Sequence, residues 1–248
     1  DAMSWLGNFG WHNHWEDYRK LWMDALAKSY ESKENFKPEF SSLASVKEFF
    51  SQLQKVEPQD FKAFTLGDKD AQDDGIYDRK FDTFLPGLMS SVISGNSFAI
   101  RLMNQYADRH VYCNRGVNGI EGSLSTAVGF SMCKNKSDKH VYCVLGDLSF
   151  FYDQNALWNR NLNGKLRIIV LNNGGGAIFG KFQGLKESQA REEMVMAKHH
   201  ATAEGICSQN EVKYLAAHTM EEMAQGISQL IHAESERPML LEVFTDMD

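Results

Sequence analysis

Two short runs carry the residues best able to do chemistry. The apolar run Val141 to Leu145 passes directly into Gly146-Asp147-Leu148-Ser149, and Leu166 to Leu171 passes directly into Asn172-Asn173-Gly174-Gly175-Gly176. Asp147 offers a carboxylate and Asn173 an amide oxygen; a backbone carbonyl in the glycine turn, assigned to Gly175, can add a third. Magnesium takes hard oxygen ligands and is usually held by one or two protein groups together with substrate phosphates. The glycines let the backbone turn sharply and approach a ligand closely. Gly146 does the same before Asp147, and the amides that follow, at Leu148 and Ser149, can face a phosphate. An Asx-type turn at each position is the plainer alternative. The occurrence of both motifs at successive strand ends, with three glycines after the second, favours a metal–diphosphate site.

Such a site needs a sheet to align its parts. From about Met89 onward, short β-rich runs alternate with helical ones. The predicted strands are Ser90–Ser94, His110–Cys113, Lys139–Leu145, Leu166–Leu171, Val212–Leu215 and Met239–Phe244. The predicted helices between them are Phe98–Tyr106, Ser123–Cys133, Tyr152–Leu162, Glu192–Glu204 and Met220–Glu234. Alternation of this kind implies an α/β fold: a doubly wound, mainly parallel six-stranded sheet with helices on both faces. Ligands then bind beyond the carboxyl ends of the strands. Consecutive strands joined by one helix are usually neighbours, which places Asp147 and Asn173 side by side. Ahead of this region, Trp11 to about Ser32 reads as a helix with Trp11, Trp15, Tyr18, Trp22 and Ala25 on one face, and Ser45 to Val56 reads as a second. Residues 1–88 are therefore expected to be a helical lead-in from a preceding domain, and 89–248 the ligand-binding domain.

Composition sets the outer limits. The chain has 248 residues, 43% hydrophobic and 24% charged, with a net charge of -7. That charge, without any Lys/Arg-rich block, argues against nucleic acid as a partner. No apolar run approaches the roughly 20 residues of a membrane span. Cys113, Cys133, Cys143 and Cys207 form no C-x-x-C pair and read as reduced thiols of a cytoplasmic protein. The acidic stretch from Asp68 to Gly75 fails as a calcium loop, because the sixth and twelfth positions hold Asp73 and Arg79 rather than Gly and Glu. The chain opens Asp1-Ala2-Met3 and stops at Asp248 just after a strand-like run, so we expect an excised piece with non-native residues at its front.

Gly146-Asp147 through Asn172-Asn173 resembles the GD…NN signature of thiamine-diphosphate enzymes. The words around it are more specific. Gly95 to Arg101 (GNSFAIR), Cys113 to Gly122 (CNRGVNGIEG), Leu124 to Gly129 (LSTAVG) and Gly146 to Leu157 (GDLSFFYDQNAL) resemble the 2-succinyl-5-enolpyruvyl-6-hydroxy-3-cyclohexene-1-carboxylate synthases. The resemblance runs from about Gly95 to Phe179, with a weaker echo at Leu241 to Thr245. It implies a carboligase of menaquinone biosynthesis that joins the decarboxylated succinyl unit of 2-oxoglutarate to isochorismate. The cofactors implied are thiamine diphosphate and magnesium, with manganese as a possible substitute, and the full-length enzyme would be a homodimer or homotetramer.

The same resemblance assigns roles. Asp147, Asn173 and Gly175 would hold the metal. Asn118, Ile120, Gly146, Leu148 and Ser149 would join them around the cofactor, with Ile120 as the apolar wedge under its bent form. Ser97 and Arg101 would grip the distal carboxylate of the succinyl unit, Arg115 would share that anionic pocket, and Phe179 would wall the cavity. Arg101 and Arg115 are the catalytic candidates in this chain, since Arg grips a carboxylate bidentately. Two departures stand out: Asn118 replaces the usual Ser or Thr, and the stretch after Phe179 lacks the expected Pro. The family's activating Glu has no counterpart here, so the isolated chain is expected to be inactive.

Three other readings stay open, one of them a non-enzymatic domain that keeps the fold as a dimerisation or regulatory module. Gly116-x-x-Gly119-x-x-Gly122 follows a strand, as in a nicotinamide-dependent dehydrogenase, but the fingerprint needs G-x-G-x-x-G. Another thiamine-diphosphate enzyme, of acetolactate synthase or 2-oxoacid decarboxylase type, would share GD…NN without needing Ser97, Arg101 and Arg115.

Overall fold

The structure, a computed structural model, describes residues 12–57, 89–116, 118–134, 139–180, 184 and 188–247, with no description of the side chains of 12–16. The acidic stretch at 68–75 and Trp11 lie outside the described residues, as do the expected boundary at 88 and most of the loop after Phe179. The chain forms two compact units, Asp1–Pro38 and Glu39–Asp248. The first contains helix α1 (His12–Asn35), on which Tyr18 and Trp22 are exposed with their rings edge to face at 6.3 Å.

The second unit opens with α2 (Ser42–Val56), capped by the Ser41 side chain, which accepts from the Ala44 amide. Then follow β1 (Ser91–Ser94), α3 (Phe98–Tyr106), β2 (Val111–Cys113), α4 (Ser123–Met132), β3 (Val141–Gly146) and α5 (Asp147–Tyr152). Next come β4 (Leu166–Asn172), a short α6 (Ala177–Gly180), α7 (Glu204–Gln209), β5 (Lys213–Ala217), α8 (Met220–His232) and β6 (Met239–Phe244). The strands form one six-stranded sheet in the order β2-β1-β3-β4-β6-β5. Every pairing is parallel, as the alternating pattern requires.

The central strands β3, β4 and β6 read as largely apolar runs because both faces are covered, whereas the edge strands β2 and β5 are partly exposed. On one face Tyr142, Val144, Ile169, Leu171 and Leu241 meet Phe49, Phe50 and Leu53 of α2, Leu102 and Met103 of α3, and Ile227 of α8. On the other, Cys143, Leu145, Ile168, Val170 and Leu240 meet Leu124 and Ala127 of α4, Phe150 of α5 and Cys207 of α7. Thus α2, read from sequence as part of the lead-in, packs into the core of the sheet unit.

Two predicted helices come out differently. Tyr152–Leu162 is instead α5, which begins at Asp147, followed by a 3-10 turn over Gln154–Trp158. Asp153 interrupts the helix at φ -126, ψ 14, and its carboxylate turns away to bond Ser125 of α4. Glu192–Glu204 is a single π-helical turn at Arg191–Val195, and regular helix resumes only at Glu204. Between them the backbone is captured by the glycine turn: Gly176 N donates to Met196 O at 2.7 Å and His199 N to Gly174 O at 3.0 Å. Tertiary hydrogen bonding outweighs helical propensity there.

Candidate metal and diphosphate site

The chain order reverses at β1, with β2 on one side of it and β3 on the other. This switch point leaves a crevice at the carboxyl ends of the strands, where a ligand finds backbone groups from several loops. Gly95, just after β1, lies against β3: its N–H donates to Val144 O at 2.8 Å, and a Cβ there would sit 2.8 Å from Leu145 Cβ. Gly146 ends β3 in an extended conformation, and a Cβ on it would meet nothing within 4 Å, so the space beside it is open.

Asp147 begins α5 and is 3% exposed. Its Oδ1 accepts from Leu148 N at 2.7 Å, and its Oδ2 accepts from Gly175 N at 2.9 Å. The β3–β4 register aligns Gly146 with Leu171, which brings the glycine turn after β4 level with this carboxylate. Burial raises the Asp147 carboxyl above its usual range, opposed by the Leu148 amide, by His199 and by the Gly175 and Gly174 amides. His199 Nδ1 accepts from Ala201 N at 3.1 Å, which assigns the ring proton to Nε2. That Nε2 is 3.2 Å from Asp147 Oδ2 but is buried without an aligned hydrogen bond.

The turn itself is built by Asn172. Its Oδ1 accepts from Gly174 N at 3.1 Å, which is Asx-turn geometry, and its Nδ2 donates into the protein. Gly174 and Gly175 have φ of +78 and +146. A Cβ on Gly175 would lie 2.6 Å from Met196 O, so both conformation and space require glycine. Asn173 is half-buried at the head of the turn and lines a cleft of about 510 Å³ together with Lys198, His199, His200 and Asp246. Gly175 presents its N–H to Asp147, and its carbonyl accepts from Ala177 N at 3.1 Å.

Of the residues read as substrate contacts, Ser97, Arg101 and Arg115 follow β1 and β2, and Phe179 follows β4. Ser97 precedes α3 with φ 63, and Arg101 is exposed on its first turn. Arg115 is exposed after β2, its Nη1 3.4 Å from Asn96 Oδ1. Asn118 has φ 60, and Ile120 is half-buried. Phe179 lies on α6, where a Cβ on Gly176 would come 2.9 Å from its ring. Sequence reasoning passed over Asn96, which is 3% exposed and donates from Nδ2 to Asn114 O and Gly119 O, tying together the loops that follow β1 and β2. It also passed over His199, hidden in a stretch read as helix, and Glu242, whose signal was a carboxylate inside an otherwise apolar strand.

Residues 94–243 match the family described as thiamine pyrophosphate enzyme, C-terminal TPP binding domain. The chain belongs to this family. It is 44% identical over 139 residues to the 2-succinyl-5-enolpyruvyl-6-hydroxy-3-cyclohexene-1-carboxylate synthase of Phocaeicola vulgatus, which covers 56% of this chain and 24% of that protein. With the synthase of the same name from Bacteroides thetaiotaomicron the identity is 43% over 155 residues, covering 61% of this chain and 27% of that protein. With the one from Desulfotalea psychrophila it is 38% over 208 residues, covering 80% and 37%. The chain thus spans between 24% and 37% of the length of these curated relatives. Among solved structures, benzoylformate decarboxylase from Polynucleobacter necessarius superposes with a TM-score of 0.61 over 86% of this chain and 35% of that one, at 12% identity. That likeness is one of fold. The resemblance to the synthases and the doubly wound fold read from sequence are both borne out.

The residues fit the family's thiamine pyrophosphate with a divalent cation. Asp147 is a buried carboxylate whose charge is only partly compensated, and a cation would complete that compensation. The candidate donors are one carboxylate, one amide and one backbone oxygen, and no cluster of three His, Cys, Asp or Glu occurs among the described residues. Oxygen donors of this kind suit magnesium rather than a softer metal. The Gly175 carbonyl, bonded once to Ala177, keeps a second lone pair.

Proposed function

We propose that this chain is the diphosphate-binding part of a magnesium- and thiamine-diphosphate-dependent carboligase of menaquinone biosynthesis. The enzyme joins the decarboxylated succinyl unit of 2-oxoglutarate to isochorismate. The observation that carries the reading is the closure of the glycine turn on the buried carboxylate, with Gly175 N 2.9 Å from Asp147 Oδ2. The names of the relatives support the substrate class.

On this reading Asp147, Asn173 and the Gly175 carbonyl hold the metal, with manganese able to replace magnesium. Gly146, Leu148 and Ser149 line the diphosphate. Asn118 and Ile120 pack against the organic part of the cofactor. When bound, that cofactor supplies the electron sink that decarboxylation and carbon–carbon bond formation require. Ser97 and Arg101 bind the distal carboxylate of 2-oxoglutarate, Arg115 adds positive charge beside it, and Phe179 keeps water from the reacting carbon. The enzyme works in the cytoplasm as a homo-oligomer, and residues 1–88, of which α2 packs into the core of the sheet unit, lead in from a preceding domain. No described helix is long and apolar enough to cross a membrane.

The test compares donors in the intact protein. Carboligation to isochorismate is expected with 2-oxoglutarate and magnesium, and only weakly with pyruvate. Equal or better use of pyruvate would point instead to an acetolactate synthase or decarboxylase type of reaction.

A further inference from the structure

Glu242 lies in the middle of strand β6, is wholly buried, and has no part in the roles above. It stands on the same side of the sheet as Leu240, Ala203 and Cys207. A carboxylate in an apolar layer is costly unless its oxygens are fully paired. Here they are. Oε1 accepts from Asn172 Nδ2 at 2.7 Å, and Oε2 accepts from Ala203 N at 2.9 Å and from the Tyr214 hydroxyl at 2.8 Å. Burial and this carboxylate hold the Tyr214 hydroxyl far above its usual range, so it remains a donor. A leucine would fill the same space without the desolvation cost; what the carboxylate adds is geometry.

The bonds lead to the site from two directions. Asn172, held by Glu242 through its Nδ2, uses its amide oxygen Oδ1 to accept from Gly174 N at 3.1 Å, which sets the turn carrying Asn173 and Gly175. Asn172 Nδ2 also reaches Ala201 O at 3.1 Å, and Glu242 pins Ala203 N, so the segment that brings His199 against Asp147 is tied to the same carboxylate. We propose that Glu242 is a positioning residue for the metal–diphosphate site: through Asn172 it fixes the Asn173–Gly175 turn opposite Asp147. The role rests on the metal site proposed above. Outer partners of this kind set metal affinity by about 10- to 100-fold.

The experiment is calorimetric titration of magnesium into the intact protein at saturating thiamine diphosphate, with thermal unfolding followed in parallel. Glu242→Leu and Asn172→Ala cut the same link from either end, and each is expected to weaken magnesium by about 10- to 100-fold. Tyr214→Phe removes a different bond from the same carboxylate. It is expected to lower the thermal midpoint while leaving magnesium affinity within about twofold, a split that general loss of stability would not give. The proposal is overturned by a folded Glu242→Leu protein with parental affinity. Where that variant does not fold, parental affinity in Asn172→Ala overturns it. Equal loss in Tyr214→Phe does so too. Asp147→Ala separates the two levels: if it keeps parental affinity, the metal site itself is wrong, and the positioning role with it. If it loses affinity while Glu242→Leu does not, only the positioning role fails.

Discussion

At the scale of single residues, the site depends on a few atoms that only one residue type can supply. Gly175 combines a φ of +146 with a Cβ position 2.6 Å from Met196 O. Gly175→Ala is expected to cost about 1–3 kcal/mol of stability, read as a lowered thermal midpoint, because the new methyl must displace backbone at a strained conformation. An unchanged midpoint would mean that the turn relaxes freely. Asp147 and Asn173 stood out because Gly-Asp and Asn-Asn follow apolar runs at two successive strand ends, the second leading into three glycines. Gly175 was legible only as part of a glycine run, and the bond from its N–H to Asp147 had no sequence signal. Glu242 announced itself as a lone carboxylate in β6, but its partner Asn172 is 70 positions away, and only the folded sheet joins them.

At the scale of elements, helix α4 shows how one segment stabilises another. Its N-cap is Gly122, which has no side chain to offer the first amides. Asp153 fills that role from beyond α5: its Oδ2 accepts from Ser125 N at 2.7 Å, and its other oxygen takes the Ser125 hydroxyl. Asp153→Ala is expected to lower stability by roughly 0.5–2 kcal/mol, the usual cost of losing an N-cap, measured by denaturant unfolding. Asp153→Asn, which keeps one acceptor, should lose less. This contact also explains why the predicted helix Tyr152–Leu162 fails, since nothing local marks Asp153 as a cap for a helix some thirty residues earlier. The central strands were legible to within a few residues because burial on both faces leaves largely apolar runs. The segment after Val195 was not, because its periodicity suggests a helix while its backbone bonds go to Gly174 and Gly176.

At the scale of the whole molecule, the two ends of the sheet have different characters. The amino-terminal end buries charge: Arg167 is 1% exposed and donates from Nη2 to His140 Nε2 at 3.2 Å and to Ala233 O at 2.8 Å. Burial first, and then the Arg167, Lys165 and Lys139 charges, lower the His140 pKa from 6.5 to about 4. The unfolded chain therefore binds more protons than the folded one between those values, and stability must fall as pH drops from 6.5 towards about 4. His140→Gln, whose carbonyl can still accept from Arg167, should lose less over that window in thermal melts; an identical slope would remove His140 from the account. The carboxyl-terminal end gathers the loops after β1 to β4 into the candidate site, where on the proposed reading Asp147 would hold a cation needed for diphosphate binding. The most direct measurement is thiamine diphosphate binding to the intact protein with and without magnesium, in the parent and in Asp147→Ala. The account predicts binding that requires magnesium and is lost in the variant. Metal-independent binding unaffected by the variant, or tight binding of NADH in its place, would contradict it.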